Sequence, residues 1–197
     1  MAKPPFVPWP AQPFLRRWEG KATELRRRLS LADDGPLDPF SLVERIEGVH
    51  AVSVTDLPNV TPTQLGALHR HADEWWALAY KEADGPWLIL YHPWQSQARL
   101  RVTILEEIAH IHLGHKPSRV FADPATGLPR RTYGKSKEKE AYGVAAAALV
   151  PFVGMVRKLA AGASIDDVAK AYGASRALVQ YRANITRAGS AATRLKV

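Results

Sequence analysis

The sequence has no cysteine. That excludes disulfide cross-links and thiolate zinc sites, and leaves histidine and carboxylates as the side chains able to hold a metal. It also lacks any apolar run of the roughly 20 residues needed to cross a bilayer. The first stretch, Met1–Pro13, carries prolines at 4, 5, 8, 10 and 13, a composition suited to an extended arm and unlike the apolar core of a secretion signal. These absences make a cytoplasmic protein with no membrane partner the expectation. Acidic residues are outnumbered, 19 against 27 Lys and Arg, for a net charge of +8.

The excess of positive charge is concentrated at the two ends. Residues Pro151–Val197 carry eight basic side chains against Asp166 and Asp167. Near the other end stand Arg16, Arg17, Lys21 and the run Arg26-Arg27-Arg28. Basic ends suit an anionic partner such as nucleic acid or an acidic protein surface, and equally suit plain solubility. With 46% apolar residues in 197, the chain has enough to bury a substantial core.

Periodicity divides the chain into short elements. Leu15, Trp18, Leu25 and Leu29 are spaced as one face of a helix over 14–31, and Pro39 precedes a short helix over 40–46. Alternation predicts strands at 50–57, 75–80 and 87–91, with a turn at Ala83-Asp84-Gly85-Pro86 making the last two a hairpin. A helix is expected over 95–113, closed by Gly114. Residues 116–134, with three prolines and two glycines, read as a long loop. Further helices follow at 138–149, 152–160, 165–172 and 176–186. Four tryptophans (Trp75, Trp76, Trp87, Trp94) gather around the hairpin, where they form core or line a substrate groove.

The segment Ile104-Leu-Glu-Glu-Ile-Ala-His110-Ile-His-Leu-Gly-His115 carries the chemistry. A metalloprotease helix of the His-Glu-x-x-His type sets two histidines one turn apart, with the Glu between them as general base. Here the second histidine is His110, the base position is Glu107, and the first ligand position holds Glu106. Successive helical residues turn by about 100°, so Glu106 and His110 converge on one side. His112 points away, and His115 lies beyond Gly114. A zinc site needs a third protein ligand, and the next helix offers Glu138 and Glu140. Both also suit a solvated helix N-terminus.

After the strand hairpin come E-E-I-A-H, then E-A-Y-G-V-A-A-A-A-L-V-P from Glu140, then I-D-D-V-A-K-A-Y-G-A-S-R-A-L-V-Q-Y-R from Ile165. In this order they resemble the ImmA/IrrE family of metallo-endopeptidases. Family members read H-E-x-x-H, then E-A-N-x-F-A ending L-M-P, then a helix pair closing on S-x-x-x-x-x-x-R. The resemblance covers roughly residues 75–187. It implies an α+β, zincin-like fold with a small antiparallel sheet, two central active-site helices and a C-terminal bundle of helix-turn-helix type. The expected divisions are a Pro-rich arm at 1–13, the metallopeptidase domain at 14–150 and a basic helical segment at 151–197 packed on it. It also implies Glu107 as general base, His110 and Glu140 as ligands, and a repressor-like protein as substrate.

Two residues depart from the family pattern. Tyr142 replaces the Asn of E-A-N, and Glu106 replaces the first histidine. A carboxylate is an accepted ligand, so Glu106, His110 and Glu140 remain the expected metal set. One divalent ion is expected, zinc first, with manganese or iron admitted by the harder donors. The other reading is a catalytically inactive regulator that binds DNA or a repressor. In it Arg176, Gln180 and Arg182 of the helix pair are available to DNA.

Overall fold

The computed structural model describes residues 7, 9–32, 34–58, 60–81, 85–116, 120–122, 129–131 and 134–195, with backbone alone for 120–122 and 129–131. The prolines at 4, 5 and 8, and Ala83 and Asp84 of the turn expected at 83–86, lie outside them. The fold is α+β.

Helix α1 runs Pro13–Arg27, opened by a proline whose missing N–H costs nothing at a helix start. Its buried stripe is Leu15, Trp18, Ala22 and Leu25. The chain leaves the helix four residues earlier than the apolar spacing suggested, and Ser30 takes a left-handed φ of 52°. Helix α2, Pro39–Glu44, is capped by the Asp38 carboxylate, which accepts from the Ser41 N–H.

Strand β1 is Val49–Ser53, followed by a 3-10 turn at Val54–Asp56 where alternation indicated continued strand. Helix α3, Pro62–Arg70, was not anticipated. Its signal is a capping box, with the Thr61 side chain accepting from Gln64 N–H and the Gln64 side chain accepting from Thr61 N–H.

Strands β2 (Ala77–Lys81) and β3 (Trp87–Tyr91) form the expected antiparallel hairpin. Strand β1 lies parallel to β3, so the sheet is mixed, in the order β1-β3-β2 with β2 at one edge.

Helix α4, Gln97–His112, starts at the Ser96 cap and is stopped by Gly114 at φ +66°. There the His115 N–H donates to the His110 carbonyl at 2.9 Å, satisfying a carbonyl that the helix end leaves open. The expected loop after it contains strands β4 (Val120–Ala122) and β5 (Pro129–Arg131), paired antiparallel. Three residues are too few for alternation to register.

Helix α5, Lys135–Leu149, is the centre of the molecule, packed against α1 on one side and α4 on the other. Its small side chains permit that double approach. A Cβ at Gly143 would lie 2.4 Å from the Trp18 ring. Two arginines close its C-terminal end: Arg26 Nη1 donates to the Ala148 carbonyl at 2.9 Å and Arg182 Nε to the Val150 carbonyl at 3.2 Å. Both satisfy carbonyls that a helix terminus exposes, and both complement its dipole.

Helices α6 (Phe152–Ala160), α7 (Ile165–Tyr172), α8 (Arg176–Thr186) and α9 (Ala188–Leu195) complete the chain. The last was not foreseen. One apolar cluster runs from Val7 to Ala192 and takes residues from both ends. No single helix among the described residues is long and apolar enough to cross a membrane.

Arg182 corrects the sequence reading. Expected on the exposed side of α8, it is fully buried, with 0% exposure. It follows Leu178 by four residues and Val179 by three, so helical spacing places it on the buried face. Arg26, counted with its neighbours as surface charge, is buried as well, while Arg27 and Arg28 are exposed.

Candidate metal centre

Glu106, His110 and Glu138 each offer a donor atom, and these atoms lie within 4.8 Å of one another. Helix α4 supplies the first two, one turn apart, as the spacing required. Helix α5 supplies Glu138 from its first turn, with Glu138 Oε2 3.4 Å from His110 Nε2. His110 is buried, whereas the two glutamates are half-buried, so the group has a solvent-facing side of the kind a catalytic ion needs.

A zinc ion sits about 2.0–2.2 Å from nitrogen and carboxylate ligands, which in a tetrahedral site puts the ligands about 3.4 Å apart. A small inward movement of two half-buried carboxylates brings the present donors to that spacing. One imidazole nitrogen and two carboxylate oxygens suit a borderline or hard divalent cation. The residues therefore fit a divalent metal.

Glu140, the ligand implied by family resemblance, stands outside this group. Its Oε1 is 3.0 Å from Arg17 Nη2 and its Oε2 is 3.7 Å from His115 Nε2. Glu138 and Glu140 are two residues apart and so point to different sides of α5. The sequence offered both, and only the packing of α5 against α4 separates them.

Glu107 is buried between α4 and the edge strand. Its Oε2 accepts the Ala79 N–H of β2 at 2.8 Å. The bond joins the base position of the motif to the strand edge beside it.

The other two histidines of the segment separate sharply. His112 faces α1, with Nε2 3.1 Å from Glu24 Oε2, and burial holds its imidazole below the usual value despite that carboxylate. His115, a weaker candidate by sequence because it follows Gly114, is turned back by the glycine. Its Nδ1 lies 3.0 Å from His110 Nδ1. Burial lowers its affinity for a proton, with His110 adding to the effect and Glu140 opposing it. Tyr142, in place of the family's Asn, lies one turn beyond Glu138. Burial first, and then the Glu106 charge, push its phenol up.

Three of the four tryptophans surround a histidine. His92 is buried, donates from Nε2 to the Trp75 carbonyl at 2.8 Å, and stacks on Trp94 with Trp75 and Trp76 alongside. Arg99 lies 4.4 Å over the Trp76 ring. Trp75, Trp76 and Trp94 are themselves half-buried.

The family model of the IrrE N-terminal-like domain, Peptidase_M78, matches residues 61–184. The chain belongs to this family. Membership suggests a metallopeptidase-like protein with a divalent metal. No curated protein is significantly similar in sequence. Among solved structures, a Mycobacterium tuberculosis transcriptional regulator superposes with a TM-score of 0.54 at 15% identity. The match covers 85% of this chain and 46% of that one. At that identity the likeness is one of fold, and the chain spans less than half of the regulator's length.

Proposed function

We propose that this IrrE-like protein is a metal-dependent endopeptidase, with Glu106, His110 and Glu138 holding one divalent ion and Glu107 acting as general base. The convergence of the three donors within 4.8 Å carries the reading. A bound ion would act as a Lewis acid on a scissile carbonyl and lower the pKa of water.

The protein's own residues supply the rest. His110 presents Nε2 from a buried position that keeps its ring fixed. Glu107, tied through one oxygen to the Ala79 N–H, would take a proton from the attacking water and return it to the leaving amine. The two half-buried glutamates leave the solvent side open to a peptide. The substrate class, a repressor-like regulatory protein of helix-turn-helix type, rests on family resemblance. Zinc is the first expectation for the ion, and the two carboxylates also admit manganese or iron.

The deciding experiment is metal analysis of protein purified without chelator, with peptide hydrolysis measured on a helix-turn-helix repressor. About one equivalent of divalent metal is expected. Glu106→Ala, His110→Ala and Glu138→Ala should each lose it, and Glu107→Gln should keep the metal while losing hydrolysis. A wild-type chain that takes up no divalent ion at micromolar concentration overturns the proposal.

A non-catalytic regulator is the second reading, supported by the carboxylate in place of the family's first histidine and by the fold shared with a transcriptional regulator. Any DNA contact through α7 and α8 would have to proceed without Arg182. Exposed Arg176, paired with Asp166 at 3.1 Å, and exposed Lys170 are basic side chains of these two helices. Salt-dependent DNA retardation that survives Glu107→Gln but not Arg176→Ala is the result this reading requires.

A further inference from the structure

The face of α4 that carries Glu106 and His110 extends back to Arg99, near the start of the helix. Seven residues turn a helix by two turns less about 20°, and eleven by three turns plus about 20°, so the three side chains form one stripe. At about 1.5 Å per residue, Arg99 stands about 10 Å from Glu106 along the axis. Tyr142 of α5, one turn beyond Glu138, lies in the field of both charges. Burial raises its phenol most, the Glu106 charge adds to the rise, and the Arg99 charge opposes it. The Tyr142 ring is in turn 6.0 Å from that of Tyr181 on α8. Arg99, Tyr142 and Glu106 are therefore neighbours on the solvent-facing side of the candidate centre.

Arg99 is exposed, and its guanidinium carbon lies 4.4 Å from the centre of the Trp76 ring. Trp76 stands immediately before β2. The cation–π contact holds the charge in place without consuming an N–H donor. Arg17, Arg101, Arg157 and Arg176 each lie 2.9–3.3 Å from a carboxylate. Among the described residues, no carboxylate pairs with Arg99 and no acceptor takes its side-chain donors. A guanidinium so held presents a fork of N–H groups that matches a carboxylate.

We infer that Arg99 is a specificity-determining residue, which pairs with a carboxylate of the peptide substrate about three residues from the scissile bond, since an extended chain advances about 3.3 Å per residue. The inference rests on the metal-site reading above and adds a substrate class to it: peptides with Asp or Glu at that distance. A free C-terminal carboxylate offers the same chemistry. An internal acidic side chain is the source that suits an endopeptidase.

The test uses full-length protein loaded with zinc and a pool of randomised peptides amidated at the C-terminus. Sequencing the products should show Asp and Glu enriched at one position about three residues from the cut. In matched peptides, Asp at that position should give a kcat/KM about tenfold above Asn, carried by KM. Arg99→Ala should abolish the preference, Arg99→Lys should keep part of it, and Arg99→Glu should turn it toward Lys and Arg. Zinc affinity should be unchanged in all three. Arg28→Ala, which removes an exposed charge elsewhere, should keep the preference for Asp.

Equal cleavage of Asp and Asn peptides, or a preference that survives Arg99→Ala, overturns the inference. An Arg99-dependent preference for the same pool with free C-termini, without enrichment of internal Asp or Glu, overturns the internal acidic class and assigns the pairing to a chain end. If the wild type cleaves nothing, the peptidase reading fails. Retention of the amidated pool on immobilised protein then decides whether Arg99 binds peptide carboxylates. Enrichment of Asp and Glu on the wild type and on Arg28→Ala, but not on Arg99→Ala, supports it, and equal composition on all three overturns it.

Discussion

Arg182 of α8 and Glu19 of α1, 163 residues apart in sequence, form a buried ion pair at the end of α5. Each also serves the chain break around Pro151. Arg182 donates to the Val150 carbonyl, and the Glu19 carboxylate accepts the Phe152 N–H at 3.2 Å. Removing one member leaves the other charged and enclosed, which typically costs about 3–5 kcal/mol. Arg182→Ala should lower the unfolding free energy, read from urea titration, by that amount. Glu19→Gln should also destabilise, because the carboxylate takes Arg182 on one oxygen and the Phe152 N–H on the other, and an amide offers a single acceptor oxygen. Arg182→Lys should behave more like Arg182→Ala, since one ammonium cannot reproduce the guanidinium fork.

Gly143 sets the distance between α1 and α5. Replacing a mid-helix glycine by alanine normally gains about 1 kcal/mol. At this position the new methyl would meet three Trp18 ring atoms at 2.4–2.6 Å. The ring is itself buried, at 3% exposure, and overpacking of this kind costs about 1–3 kcal/mol or more. Gly143→Ala should therefore destabilise. Pairing it with Trp18→Leu, which vacates the space, should restore part of the loss in thermal unfolding.

The helices were legible because their apolar spacing, prolines and caps agree with one another. Ser164, Gly173 and Ser175 punctuate α7 and α8 in the sequence as they do in space. Strands β4 and β5 were not legible, being three residues each. Helix α3 was missed although Thr61-Pro62-Thr63-Gln64 carries its start signal, because no buried stripe follows it. At the candidate centre, Glu106, Glu107 and His110 could be placed by turn geometry alone. The choice between Glu138 and Glu140 could not, since it depends on how α5 is rotated against α4. A charged residue reads as surface until its partners across the fold are known, which hid Arg26 and overrode the spacing that sets Arg182 on the face of Leu178 and Val179.

Buried imidazoles predict a pH dependence. Burial lowers the proton affinity of His92 and of His112, so the unfolded chain binds more protons than the native one just below the free imidazole value of about 6.5. Stability should be full above that value and fall as the pH drops through it toward the depressed native values. Glu24 lies below the ordinary carboxylate value, chiefly through its Lys21 bond, and so acts only at more acidic pH. Urea midpoints at pH 8 and pH 5.5 should differ in that direction, and His112→Gln should reduce the difference.

Glu106→His tests the residue that sets this chain apart from the family motif. Glu106 sits one turn before His110 and shares its converging donors. The substitution changes one nitrogen and two carboxylates into two nitrogens and one carboxylate, a softer set carrying one less negative charge. Both changes favour zinc over manganese and make a bound ion the stronger Lewis acid. The ratio of zinc to manganese affinity should rise by about tenfold, equivalent to about 1.4 kcal/mol, a shift measurable by competition titration. Hydrolysis of a repressor substrate should rise with it and vanish when Glu107→Gln is added. An unchanged metal preference in Glu106→His, alongside metal loss in Glu138→Ala, would mean that Glu106 is not a ligand and that the ion is held by His110 and Glu138 with solvent.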